Sequence, residues 1–79
     1  MRLDKFLKVS RLIKRRTVAN EACDAGRVSV NGRAAKASHD VKEGDVLLLR
    51  LGGRELSVEV VSVRETATRA DAGAMYREI

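Results

Sequence analysis

The spacing of apolar residues changes from a helical period to a strand-like period at Gly26, and this change limits the fold more than any other feature. Before it, Leu3, Phe6 and Leu7 recur at the three- and four-residue intervals of an amphipathic helix. After it, apolar and polar residues alternate, as in strands with one buried face. Because the connections are too short for parallel crossovers, the sequence predicts an α+β fold with two short N-terminal helices packed on a small antiparallel sheet.

Two helices are predicted before the change of period. The first covers residues 2 to 9, with its basic side chains on the arc opposite its apolar stripe. The second runs from about Arg15 to Ala25, with Val18, Ala22 and Ala25 on one side. The glycine that follows ends this helix, because glycine adopts the left-handed conformation without a Cβ clash.

Three short turns divide the rest of the chain into strands. They are predicted at Asn31-Gly32, Glu43-Gly44-Asp45 and Gly52-Gly53. The strands between them are expected at residues 27–30, 46–51 and 55–63, the last with a bulge near Val60-Val61.

A chain of 79 residues has room for one compact domain. We predict that residues 1–64 form this domain and that residues 65–79 are an extension. Thr68, the neighbouring alanines, Met75 and Tyr76 suit a short terminal helix capped at its start.

Nearly all of the positive charge lies at one end of the chain. The net charge is +5, but residues 1 to 16 alone carry +6, from seven cations and the single acid Asp4. The cations are Arg2, Lys5, Lys8, Arg11, Lys14, Arg15 and Arg16. Such an unopposed cluster is typical of a surface that contacts nucleic-acid phosphates, although a solvated charged face is the ordinary alternative.

The small number of aromatic residues favours structured RNA or a duplex over single strands. Proteins that grip single strands stack bases on exposed aromatic rings, and the only aromatic residues are Phe6 and Tyr76. Asn31, at a tight turn, is a further candidate contact with RNA. Charge alone does not distinguish RNA from DNA, so a general duplex-binding protein stays open, as does a basic helix on a membrane surface.

The sequence gives little support for catalysis, a metal or a cofactor. It has one histidine, His39, expected in a solvated loop, and one cysteine, Cys23, expected to pack against the core. Neither glycine-rich phosphate-binding motif occurs. The longest apolar run, Val46 to Leu49, is far too short to cross a membrane, and we expect a cytoplasmic, non-enzymatic monomer.

Five segments in combination resemble the alpha-L RNA-binding domain first described in the small-subunit ribosomal protein S-four. They are Arg2 to Leu7, Arg11 to Arg16, Ala19 with Cys23, Gly26 to Gly32, and Val41 with Gly44-Asp45. The opening Met1 to Arg16, the short length and Ala74-Met75-Tyr76 are similar to a stand-alone bacterial family of ribosome-associated quality control. That family is related to the heat-shock ribosome-recycling proteins.

The resemblance implies a function on the ribosome. It implies binding to obstructed large subunits at ribosomal RNA and peptidyl-tRNA, and support for the partner RqcH as it adds an alanine tail to a stalled chain. A heat-shock-type recycling factor, or a detached RNA-binding module of an RNA-modifying enzyme, is the alternative.

The resemblance also implies roles for individual residues. Arg16 is the expected principal RNA contact, and the surrounding patch is Arg2, Lys5, Arg11, Lys14 and Arg15. Asp4 has two interpretations: a first-turn carboxylate favoured by the helix dipole or paired to a nearby arginine, or a functional group that orients an arginine or contacts an RNA hydroxyl.

Overall fold

The computed structural model describes residues 1–79 and has three helices and one five-stranded sheet. The helices are α1 (Leu3–Val9), α2 (Arg16–Asp24) and α3 (Arg69–Gly73). The strands are β1 (Val28–Val30), β2 (Arg33–Ala34), β3 (Val46–Leu51), β4 (Arg54–Val60) and β5 (Tyr76–Glu78). The predicted α+β class is confirmed.

All five strands are antiparallel and lie in the order β2-β1-β3-β4-β5. The β1–β2 turn lies at Asn31-Gly32, as predicted. These two residues have positive φ values of 52° and 85°, and Val30 before them pairs with Arg33 after them. Strand β3 has the predicted bounds, and a two-residue turn joins it to β4.

The core lies between one face of the sheet and the two N-terminal helices. Cross-strand register places Val30, Leu47 and Val58 in one row, and all three are buried. Helix α1 contributes Phe6 and Leu7, which have no exposed surface. Seventeen buried residues form this single cluster, so α1 is held firmly and its polar face is oriented outward.

Helix α2 is rotated from the predicted orientation: Ala22 faces the core as predicted, but Ala25 is exposed. Ala19, Ala22 and Cys23 are buried, whereas Val18 is 45% exposed. The reason is a polar contact: Arg16 and Asn20 of α2 both bind Asp4 of α1 (described below), and this fixes the rotation of the helix. At 100° per residue, Val18 and Ala25 point away from the side that carries Arg16 and Asn20.

Strand β4 ends at Val60, earlier than predicted. The backbone amides of Val61 and Ser62 both donate to the carbonyl of Met75, at 2.8 and 3.1 Å, which is the two-against-one hydrogen bonding of a β-bulge. The bulge therefore lies one residue further along the chain than expected.

The terminal segment contains the predicted helix but also a strand that was not predicted. The Thr68 hydroxyl accepts a hydrogen bond from the Asp71 amide at 3.2 Å and caps α3. Met75 and Tyr76, assigned to this helix from the sequence, lie beyond it: Met75 is fully buried in the core and Tyr76 begins β5. No helix combines the length and apolar character that a membrane span requires.

Candidate nucleic-acid interface

The N-terminal end of α1 is fixed by the segment that precedes β3. The Leu3 amide donates to the carbonyl of His39 at 2.8 Å, and the Asp4 amide donates to the carbonyl of Ala37 at 3.2 Å. Arg2 and Asp40 form a β-bridge at the same place. These backbone contacts hold Arg2 and Asp4 in position before any ligand binds.

Asp4 is a buried carboxylate that joins two arginines. It is only 2% exposed, and its Oδ1 lies 3.1 Å from Nε of Arg2, while its Oδ2 lies 3.4 Å from Nε of Arg16. Asn20 donates from Nδ2 to Oδ2 at 3.3 Å, and the Lys5 backbone amide donates to Oδ1 at 2.8 Å. Two cations that are 14 residues apart in the sequence are thus oriented by one acid.

The pKa of Asp4 shows that these contacts outweigh its burial. Burial alone raises the pKa of this carboxyl, but hydrogen bonds from Arg2, Asn20 and Arg16 lower it to about 2. Asp4 is therefore ionised at neutral pH. The side chains of Arg2 and Arg16 stay about half exposed, so each has guanidinium surface left to meet a phosphate.

A second carboxylate lies beside the other cations of α1. Lys5 forms an ion pair with Glu65, an exposed residue of the segment between β4 and α3. Lys8 and Arg11 line a shallow cleft with the same glutamate. Five of the seven predicted cations thus fall into two groups, with Arg2 and Arg16 around Asp4 and the three others around Glu65.

The junction between α1 and α2 carries the remaining cations. Arg11 has a φ of 63°, the left-handed conformation that usually selects glycine after a helix, and its amide donates to the carbonyl of Lys8 at 3.1 Å. Ile13 is buried and anchors the junction. Lys14 and Arg15 are exposed and have no ion pair, so both are free to contact an anion.

Asn31 is exposed, but its side chain is used within the protein. Its Oδ1 accepts from the Val46 amide at 2.9 Å, and its Nδ2 donates to Asp45 at 3.1 Å. These bonds tie the β1–β2 turn to the start of β3. A contact between Asn31 and RNA stays a prediction.

Sequence reasoning missed Asn20 and Glu65. Asn20 lies four residues after Arg16, so helical spacing alone puts both on one face of α2 and could have suggested it. Glu65 is 60 residues from Lys5, and no local pattern indicates that pairing.

The other chemically reactive side chains do not converge on this surface. Cys23 is buried. Its burial, and to a smaller extent the negative charges of Asp4 and Asp24, raise the pKa of its thiol to about 11, so the thiol stays protonated at neutral pH. His39 is exposed. No group of three or more histidine, cysteine, aspartate or glutamate residues is placed to hold a metal ion.

Comparison with known proteins agrees with the resemblance seen in the sequence. The S4 domain family matches residues 1–47. The chain is 57% identical to a protein called RQC P-site tRNA stabilizing factor in Halalkalibacterium halodurans, over 96% of this chain and 86% of that protein. It is also 57% identical to the protein of the same name in Bacillus subtilis, over 96% of this chain and 88% of that protein.

A solved structure has the same fold. Heat Shock Protein 15 of Vibrio cholerae, described as trimeric, superposes with a TM-score of 0.93 at 32% identity, and the match covers this whole chain and 81% of that one. The family match covers more than half of the chain, and the relatives are aligned over nearly all of it. The chain therefore belongs to the S4 domain family and, within it, to the family of the RQC P-site tRNA stabilizing factors.

Proposed function

We propose that this protein is a cytoplasmic, ribosome-associated RNA-binding factor of ribosome quality control that acts by binding and not by chemistry. It attaches to obstructed large subunits, contacts ribosomal RNA and peptidyl-tRNA, and supports an RqcH-type factor that extends stalled chains with alanine. The names of its relatives, which refer to P-site tRNA and its stabilisation, support this assignment.

The observation that carries the proposal is the orientation of Arg2 and Arg16 by Asp4. Guanidinium groups bind phosphates through paired hydrogen bonds, and the buried carboxylate sets their direction before RNA arrives. We propose that the whole predicted set contacts RNA, with Arg16 as the principal contact. The other members are Arg2, Asp4, Lys5, Lys8, Arg11, Lys14, Arg15 and Asn31.

Binding of this kind can favour one state of the ribosome without catalysing a reaction. A factor that contacts tRNA and ribosomal RNA together lowers the free energy of the state in which both surfaces are available. Repeated elongation by the partner then begins from that state. In this proposal residues 1–64 form the RNA-binding domain, and residues 65–79 are an extension whose Met75 and β5 complete the core and the sheet.

The proposal is tested by the charge and salt dependence of ribosome attachment. If about six cations meet phosphates, the logarithm of the affinity falls with the logarithm of the salt concentration with a slope of roughly −5. Sedimentation with purified large subunits over a range of KCl measures this slope. Attachment that does not respond to salt contradicts the proposal.

The role in tailing needs a separate experiment. In a reconstituted system with an RqcH-type factor, Arg16→Ala should reduce alanine addition, whereas the control Arg69→Ala removes an exposed charge from α3 and should not. Equal tailing by the Arg16→Ala variant and the unmodified protein would refute the assignment.

A heat-shock-type recycling factor is the second candidate, because the solved structure of Heat Shock Protein 15 has nearly the same fold. A Haemophilus influenzae homologue of that protein is also 33% identical to this chain. The same reconstituted system separates the two functions. A tailing cofactor increases the length of the alanine tail, whereas a recycling factor returns free subunits without lengthening it.

A further inference from the structure

A second group of arginines lies outside the N-terminal basic cluster. Arg27, Arg50 and Arg54 surround an open cleft of about 380 Å³ at the turn between β3 and β4. Gly52 and Gly53 form the turn and line the cleft, and open space lies where their side chains would be. The backbone of a ligand can therefore approach the turn closely.

The charges of this cleft are unbalanced. Arg27 and Arg50 are opposite each other at the end of the β1–β3 pair, where the Arg50 amide donates to the Arg27 carbonyl at 2.9 Å. Like charges opposite each other on neighbouring strands are unfavourable without an anion. The one acid of the cleft, Glu55, lies 3.8 Å from Arg50, while Arg27 and Arg54 have no ion pair.

The lining selects a phosphate and not a base or an apolar ligand. None of its residues is hydrophobic or aromatic, so neither stacking nor apolar burial is available. Arginine guanidiniums, in contrast, bind phosphate oxygens through two parallel hydrogen bonds. The open shape suits an extended backbone that passes across the surface.

The cleft is separated from the Asp4 cluster by the length of α2. Arg16 begins this nine-residue helix and Arg27 follows its end, which corresponds to about 14 Å of helix. The groove between them is lined by Arg27 of the cleft itself and by residues that offer no positive charge, such as Val18, Glu21 and Leu51. A backbone that meets both arginine groups must do so with two separate sets of phosphates.

We propose that Arg27, Arg50 and Arg54 form a second phosphate-binding site, which takes an RNA backbone segment distinct from the one held by the Asp4 cluster. The inference rests on the proposed function, because it gives the domain the two RNA surfaces that bridging requires. It assigns the second surface to the β3–β4 turn, which is about the length of α2 away from Arg16.

The test compares two double variants that lose the same charge. Arg27→Gln with Arg54→Gln removes the two unpaired arginines of the cleft, and Arg33→Gln with Arg69→Gln removes two exposed arginines elsewhere. Affinity for purified large ribosomal subunits is measured between about 50 and 200 mM KCl. The cleft variant should make the salt slope shallower by about 2, while the control keeps the slope of the unmodified protein.

Chemical modification gives a second readout without any substitution. Phenylglyoxal reacts with accessible arginines, and mass spectrometry locates the products. Attachment to large subunits should protect Arg27 and Arg54 from the reagent, while Arg69 stays reactive.

Thermal unfolding by circular dichroism confirms that both double variants are folded.

Each outcome separates this inference from the proposed function. If the cleft and control variants bind alike and Arg27 and Arg54 stay reactive, the second site is refuted, and a weakening by Arg16→Ala would still support the first surface. If the unmodified protein attaches without any salt dependence, the proposed function fails as well.

Discussion

Replacement of Asp4 by asparagine should destabilise the protein in a pH-dependent way. Asparagine has nearly the same shape and keeps an oxygen to accept the Lys5 amide, but it lacks the charge that Arg2 and Arg16 bind. Both arginines are about half exposed, so water can solvate them in the variant. The cost is therefore that of the lost charge interactions, together with the acceptor that Asn20 loses, and not that of a buried unpaired cation.

The magnitude follows from the pKa of Asp4. A decrease from the ordinary pKa of 3.8 to about 2 in the folded protein corresponds to about 2 kcal/mol of stability at pH 7. Because the folded pKa is the lower one, this contribution is complete above the unfolded pKa and is lost as the pH falls through the folded pKa. At pH 3 only about 1 kcal/mol should remain.

Urea unfolding of the unmodified protein and the Asp4→Asn variant, at pH 7 and at pH 3, measures this difference. Glu43→Gln is the control, since Glu43 is an exposed turn residue without an ion pair and its replacement should change little. A stability difference for Asp4→Asn that is the same at both pH values would refute the reasoning, because it would mean that charge is not what Asp4 contributes.

Substitutions at two further positions test the cations around Glu65. Glu65→Gln should strengthen RNA binding with little change in the salt slope, because Lys5 contacts phosphate in both proteins but no longer has to leave a carboxylate. Fluorescence anisotropy at several salt concentrations measures both quantities, and an unchanged affinity would argue against this expectation. Arg11→Gly and Arg11→Ala should weaken RNA binding equally. In urea unfolding, the glycine variant should be more stable than the alanine variant by about 1 kcal/mol, because the backbone of residue 11 is in the left-handed conformation. Equal stability of the two would show that this conformation carries no strain.

The sequence predicted the fold well where one local rule dominates. The Asn31-Gly32 turn and strand β3 lie where expected, because positive φ values and a continuous apolar run are strong local signals. The rotation of α2 was predicted only in part, since Ala22 is buried but Val18 and Ala25 are exposed. Apolar spacing pointed to Val18, and only the three-dimensional contact of Arg16 and Asn20 with Asp4 decides which side is buried.

The candidate site was predictable in composition but not in arrangement. The charge count alone identified the basic segment, and Asp4 was expected either to pair with an arginine or to orient one. In the structure Asp4 pairs with both Arg2 and Arg16, and the use of this arrangement in RNA binding stays a prediction. The involvement of Glu65, and the meeting of Arg27 with Arg50 and Arg54, depend on tertiary pairings between distant segments that no local spacing encodes.

The two carboxylates beside the basic segment differ in what they allow RNA to do. Asp4 is buried and has four donors, so a phosphate can add to the outer faces of its arginines but cannot replace it. Glu65 is exposed and binds a lysine, and an exposed pair of this kind contributes little to stability and exchanges readily with solvent. Arg2 and Arg16 are therefore already oriented when a phosphate binds, which reduces the side-chain entropy lost on binding. At Lys5, in contrast, the phosphate must compete with Glu65. Asp4 should then raise the affinity of the RNA contact, while Glu65 sets how much positive charge the free protein presents.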